Sequence, residues 1–438
     1  MKTKFVNINW LFIYKIQLVL NILISVALII ISEFVAIPVY PKLIPYNNPQ
    51  FYLFNASFIA LAIIALTIII LKKKIPPILN GILIPTLPYF YSYLWTTLNN
   101  VLWIYLPRFT GLIGIVYFLG YLILYLPLLF VEYPAIKNNI LRLLSYICLF
   151  PGALLYSPVL TSNKIIDFIT YMGIMFLILS IEWLIILTRI WNIHLKIDFP
   201  FYCKKWLCLT FYIVVIVFFL GAGILHISIP SVQGWDQLWS NWDQILANFD
   251  AHIYNFNLTV LVDGLVPGIS EELERYFLLV LLLSGLKNIK LHIPIAIIVS
   301  SLIFGLSHCT HFLTEPVDTT ISLIIAATGG GLLYAVVYLI SGKLWLTIFA
   351  HTLLDSLVSA FSINGTISLG MWELYSRPMV IITAIELAIF LGFTLILLLV
   401  PAFRASLKIN AQNLANLVNV PSINENGIVH KLPKNVDI

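Results

Sequence analysis

The segment PGISEELERYFLLVLLLSGL, residues 267–286, joins an apolar run to a cluster of three glutamates and an arginine. About 20 apolar residues suffice for a helix that crosses a bilayer, and ionisable side chains inside such a helix are costly and usually functional. We therefore predict a membrane helix over about 258–286 that carries a functional site. Because Pro267-Gly268 precedes the cluster, we expect a break there. Ser270 would then be the N-cap, and the helix dipole would favour carboxylates in the first turn.

The whole chain of 438 residues has the composition of a membrane protein. Hydrophobic residues make up 61% of it and charged residues 10%, and its mean hydropathy is +1.00. Soluble proteins average about 45–50% apolar and about 25% charged residues, so a water-soluble fold is excluded. We predict an all-α fold, a polytopic transmembrane helix bundle in the lipid bilayer. The net charge of +5 reflects basic loops, and we expect no nucleic-acid partner.

Apolar runs long enough to cross a bilayer recur along the chain. Lysine and arginine are concentrated in every second connecting loop, as at Lys72–Lys74, whereas the loop 228–257 has neither. The positive-inside rule then places both termini in the cytoplasm and the 228–257 loop outside. The predicted localisation is the cell membrane, multi-pass. We expect about 12 spans, at about 16–37, 51–71, 78–98, 112–130, 143–160, 165–190, 207–227, 258–286, 293–312, 318–340, 344–361 and 380–400.

Ionisable residues inside the predicted spans are concentrated in the last five of them. Arg275 follows Glu271 by four residues and Glu272 by three, so it faces both carboxylates on a helix. At the helical rise of about 1.5 Å per residue, the acidic and histidine side chains fall at similar depths in the membrane. Ion pairs and hydrogen bonds that merely tie helices together are the structural alternative. The candidate site residues are Glu271, Glu272, Arg275, His308, His351 and Asp355.

These motifs resemble the CPBP family of intramembrane proteases, which comprises CAAX prenyl endopeptidases, bacteriocin-processing enzymes and Abi-like proteins. The family pattern is Glu-Glu-x-x-x-Arg, then Phe-x-x-x-His, then His-x-x-x-Asn or Asp. The second motif matches Phe304 to His308, and the third matches His351 to Asp355. In the first motif Arg275 comes one position early, and Tyr276 stands where the arginine is expected.

The resemblance implies a peptide-hydrolysing site. Glu271, helped by His308, would activate water, while His351 and residue 355 would stabilise the oxyanion. An ionised aspartate cannot donate a hydrogen bond, so we expect Asp355 to orient His351 instead. The implied substrates are membrane-associated or lipidated peptides and proteins. No cofactor is favoured; zinc stays open as an alternative ligand of the carboxylates and histidines, although the His-Glu-x-x-His signature is absent.

The resemblance also suggests a division of the chain. Residues 1–205 would be N-terminal transmembrane helices of unknown role, 206–400 the CPBP-like protease core, and 401–438 a polar, mobile cytoplasmic tail. Two other functions stay open. A secondary transporter would fit twelve spans with both ends inside, and a catalytically idle immunity or scaffold member of the family would fit the early Arg275.

Overall fold

The computed structural model describes residues 9–34, 37–39, 42–44, 49–71, 77–149, 163–228, 258–313, 317–362 and 376–418. The regular elements of these residues are helices, apart from one antiparallel hairpin, β1 (Ile37–Val39) and β2 (Lys42–Ile44), in which Pro38 pairs with Leu43. The first part of the chain forms α1 (Trp10–Ser32), α2 (Pro49–Ile70), α3 (Pro77–Tyr105), α4 (Thr110–Leu124), α5 (Leu126–Val131), α6 (Asn139–Ile147), α7 (Lys164–Tyr171) and α8 (Ile174–Ile190).

The second part of the chain is helical as well. Short 3-10 turns lie in the first part at Pro107–Phe109 and Tyr133–Ala135, and in the second part at His308–Leu313. The remaining helices are α9 (Lys205–Ser228), α10 (Leu258–Gly285), α11 (His292–Ser307), α12 (Val317–Ser341), α13 (Leu344–Ser362), α14 (Ser376–Leu399) and α15 (Pro401–Ala415).

The all-α, multi-pass membrane class is confirmed. Among the described residues, six helices are long and apolar enough to cross a membrane, or up to eight if each of two bent pairs is one span. One bent pair is α14 and α15, which meet at an angle of 95°. By the criteria of helix length and apolarity, the described residues do not contain the twelve spans predicted from the sequence. The predicted loop 228–257 lies almost wholly outside the described residues.

Helix α10 runs without a break through Pro267, so the predicted break is wrong. Ser270 is not an N-cap: its Oγ donates to the carbonyl oxygen of Val266 at 2.7 Å, as in a helix interior. The glutamates therefore lie in mid-helix, and the dipole argument does not apply to them. A proline costs the helix one hydrogen bond, but tertiary packing supplies most helical stability in proteins and outweighs that loss here.

The tertiary packing that stabilises α10 is its contact with α13. Gly264 and Gly268 lie one turn apart on α10 and bring its backbone directly against α13. A Cβ on Gly268 would lie 2.9 Å from the backbone nitrogen of Thr352 and 3.1 Å from its Cα. Small residues permit this close approach of membrane helices. The contact sets α10 and α13 side by side at the level of the candidate residues.

The start of the predicted mobile tail is an ordered helix, which corrects that expectation for residues 401–415. Phe403 and Leu407 of α15 are buried. Ser406 Oγ donates to the carbonyl oxygen of Ile340 at 2.7 Å, and Asn410 Nδ2 donates to that of Leu339 at 3.0 Å. Since the last carbonyls of a helix have no partners within it, α15 completes the C-terminal end of α12.

The N-terminal helices pack on the candidate core. Helix α8 packs against α10, and the ring of Trp191 stacks on Phe277 with centroids 6.2 Å apart. Asn139 Nδ2 of α6 donates to Ser284 Oγ of α10 at 2.9 Å. The motif-bearing helix is therefore enclosed from both parts of the chain.

Candidate active site

Glu272 is the centre of a buried hydrogen-bond cluster. Its side chain is only 1% exposed. Oε1 accepts a hydrogen bond from Arg275 Nη1 and lies 2.8 Å from His351 Nδ1. A carboxylate buried in a membrane helix needs such partners. Glu272 therefore joins the first and third sequence motifs and fixes α10 against α13.

His351 lies between three carboxylates. Its Nδ1 is bound to Glu272, and its other ring nitrogen, Nε2, is 3.5 Å from Glu271 Oε2 and 3.4 Å from Asp355 Oδ2. The ring stacks on Tyr334, with centroids 4.8 Å apart. The Glu272 contact and the stacking hold the ring in one orientation and turn Nε2 towards Glu271 and Asp355.

Arg275 is fully buried and does not reach the cavity. Its guanidinium carbon lies 4.0 Å from the ring centroid of Phe304 and 5.0 Å from that of Tyr334. Among the described residues, its Nε and Nη2 have no hydrogen-bond partner. The guanidinium instead makes cation–π contacts with the two aromatic rings. Tyr276, at the position expected for arginine, points elsewhere: its hydroxyl donates to the carbonyl oxygen of Lys196 at 3.1 Å.

A cavity of about 380 Å³ lies beside this cluster. Glu272 is not part of its wall, whereas the side chain of Glu271 is 22% exposed and belongs to it. All three motifs contribute to the wall. The predicted residues that line the cavity are Glu271, His308, His351 and Asp355.

His308 follows α11 in the 3-10 turn His308–Leu313. Its Nδ1 lies 3.0 Å from the carbonyl oxygen of Phe304, and its ring packs edge-on against the Phe304 ring, with centroids 5.2 Å apart. With Nδ1 bound to the backbone, Nε2 is the ring nitrogen left to act in the cavity. The second motif therefore spaces a positioning aromatic ring and a histidine by one helical turn.

Two further carboxylates near the site, Glu386 and Glu274, are not among the candidate site residues predicted from the sequence. Glu386 of α14 lines the same cavity as Glu271 and Asp355, although it belongs to no motif. Glu274 is buried beside α8, where Ser180 Oγ donates to its Oε1 at 3.3 Å. Glu386 and Ser180 reach the site through tertiary packing of distant helices, so no local pattern could indicate them.

The donor set does not fit a metal site. Within the described ranges, no group of three or more His, Cys, Asp or Glu side chains is arranged to hold a metal ion. Glu272 and the Nδ1 of His351 are engaged with each other. The arrangement instead suits proton transfer. The partly exposed carboxylate of Glu271 and the histidines His308 and His351 line one cavity, and the buried hydrogen-bond cluster around Glu272 lies next to it.

Fold and site together define a class: a multi-pass helical membrane protein with a glutamate–histidine site enclosed between its helices. Residues 254–357 match the family model described as Rce1-like, type II CAAX prenyl endopeptidase. That segment is thus an Rce1-like domain of the CPBP family, which confirms the predicted resemblance, and it spans α10 to most of α13. No curated protein and no solved structure matches the chain.

Proposed function

We propose that this protein is an intramembrane endopeptidase that hydrolyses peptide bonds of membrane-associated or lipidated peptides and proteins. The observation that carries the proposal is the division between two adjacent glutamates. Glu272 is held by Arg275 and His351, whereas Glu271 is partly exposed in a cavity that His308 and His351 share. The match of residues 254–357 to a family of prenyl endopeptidases supports the same reaction.

In the proposed reaction, Glu271 acts as the general base. It takes a proton from a water molecule that it and His308 hold, and the water oxygen bonds to the carbonyl carbon of the peptide. Nε2 of His351, as the imidazolium, donates to the resulting oxyanion while Nδ1 donates to Glu272. The carbon–nitrogen bond then breaks, and the proton on Glu271 passes to the leaving amine. The products are a carboxylic acid and an amine, and Asp355 orients His351 throughout.

The location of the site favours substrates that reach it from the lipid. Large apolar side chains such as Leu302 and Leu306 of α11 are exposed on the outer surface, where they suit lipid contact. We infer that the chain has about twelve spans with both termini cytoplasmic, as its basic loops predict. Under this proposal residues 206–400 form the protease core, and 1–205 its N-terminal support.

The transporter alternative has less support. A two-half transporter would carry its polar site at the interface of two related halves, whereas the described lining of this cavity comes from α9 to α14 and the 3-10 turn His308–Leu313. The experiment below distinguishes the proposed protease from a catalytically idle member of the family.

The test compares membranes that contain the wild-type protein with membranes that contain Glu271→Ala. We expect new peptide termini on membrane proteins or lipidated peptides only with the wild-type protein. Circular dichroism of the purified variant serves as the control for folding. Identical sets of termini from both membranes would favour the idle alternative and contradict the proposal.

A further inference from the structure

The buried carboxylate of Glu274 has no role in the reaction as described. It is one helical turn from Glu271 on α10 and only 6% exposed. The described partner of its Oε1 is a hydroxyl, Ser180 Oγ on α8. A charged residue in mid-membrane is costly and is usually functional. A neutral hydroxyl partner alone offsets little of that cost.

Glu274 lines a second, smaller cavity of about 90 Å³. A water molecule takes about 30 Å³ in the liquid, so there is room for about three waters. Polar atoms on several sides are what ordered water requires. The other lining residues are Phe176, Glu271, Ser307, His308, Thr310 and His311.

The small cavity and the large one share a wall. Glu271, His308 and His311 line both. A peptide in the large cavity would displace water there. Water in the small cavity would still contact Glu271 and His308, the two side chains proposed to activate it.

We propose that the small cavity holds the water consumed in the reaction, and that Glu274, fixed by Ser180, is a positioning residue for it. The inference rests on the proposed function and deepens it. A carboxylate oxygen of Glu274 accepts a hydrogen bond from the water, which turns the water's oxygen lone pair away from Glu274 and towards the peptide carbonyl. As one water is consumed, the next moves from the small cavity to Glu271.

The proposal gives the N-terminal helices a role in catalysis. Phe176 and Ser180 belong to α8, which lies outside the Rce1-like segment 254–357. Phe176 forms the apolar part of the cavity wall, and Ser180 holds Glu274. The water site is therefore assembled from both parts of the chain.

The test begins with a readout that needs no cleavage. X-ray hydroxyl-radical footprinting of the full-length protein oxidises side chains that lie against bound water. We expect Phe176 to be oxidised in the wild-type protein and protected in Glu274→Leu. The matched control is Glu182→Leu, the same replacement at a carboxylate of α8 outside the small cavity, and it should leave Phe176 oxidation unchanged. Equal oxidation of Phe176 in the wild-type protein and Glu274→Leu would overturn the proposal.

The kinetic arm uses a substrate identified by the terminus comparison above. Loss of a positioned water should lower kcat about tenfold or more in Glu274→Leu with KM unchanged. Glu274→Gln keeps an acceptor oxygen and should recover most of the rate. An unchanged kcat in Glu274→Leu, or a loss that Glu274→Gln does not rescue, would contradict the positioning role. If footprinting succeeds but the wild-type protein cleaves nothing, the water site stands and the proposed function fails.

Discussion

Replacing Gly268 by alanine should separate the two helices that carry the site. The added Cβ would lie 2.9 Å from the backbone nitrogen of Thr352, about half an ångström short of an ordinary contact. Backbone atoms cannot rotate out of the way, so α13 must shift by about that amount. His351 precedes Thr352 and moves with it. The 2.8 Å distance between His351 Nδ1 and Glu272 Oε1 would then exceed the optimal length of a hydrogen bond.

The size of the effect follows from two opposing terms. Overpacking a well-packed contact costs about 1–3 kcal/mol, and replacing glycine by alanine in a helix returns about 1 kcal/mol. The net loss of stability should be about 0–2 kcal/mol, so the protein stays folded. A 1 Å misplacement of catalytic groups costs about 10²-fold in rate. A shift of half that size should therefore cost about tenfold.

The assay measures peptide cleavage and thermal unfolding in detergent for Gly268→Ala and a matched control. Gly221→Ala is that control, because a Cβ there meets no heavy atom within 4 Å. It should change neither quantity by much. Full activity in Gly268→Ala, with stability equal to that of Gly221→Ala, would refute the view that close packing of α10 on α13 sets the catalytic geometry.

The remaining predictions concern single groups and sidedness. Glu271→Ala and His308→Ala should each abolish cleavage while the thermal midpoint in detergent changes little; activity losses that track unfolding in these two variants would indicate structural ties instead. His351→Ala should abolish cleavage and also lower the midpoint, because it removes the buried contact with Glu272. Asp355→Asn should retain activity or lose only a little, since an amide can still orient His351, and a cleavage assay with folding control checks this. Cleavage should survive chelators, and loss restored by stoichiometric zinc would overturn that expectation. A cysteine at Ser240 should be labelled by impermeant reagents only from outside, and labelling from the cytoplasm alone would contradict the topology.

The site was easier to predict from the sequence than the backbone that holds it. Charged residues are rare in apolar spans, so Glu271, His308 and His351 stood out without any tertiary information. The structure brings the first and third of them within 3.5 Å of each other. Proline, glycine and serine at 267, 268 and 270 suggested a helix start. That local signal failed because the same Gly268 gives α13 its contact surface, and packing outweighs local preference.

Other features depend on contacts between distant parts of the chain. No spacing rule relates Ser180 to Glu274 or Glu386 to Asp355, because helix packing alone brings the first pair into contact and the second pair to one cavity. From the residues alone neither Glu271 nor Glu272 was distinguished as the base, and only the family resemblance pointed to Glu271. Their environments separate them, since one is enclosed by Arg275 and His351 and the other opens to the cavity.

The early arginine does not weaken the case for an active site. Successive residues of an α-helix project about 100° apart, so Glu271 and Glu272 face different neighbours. Glu271 shares its face with Glu274, three residues on, and Glu272 shares its face with Arg275 in the same way. A helix brings side chains three or four residues apart together, so the shorter spacing keeps the arginine on Glu272. Arg275 makes that contact in the structure. The shifted motif therefore keeps the ion pair that holds Glu272 against His351 and leaves Glu271 open to the cavity.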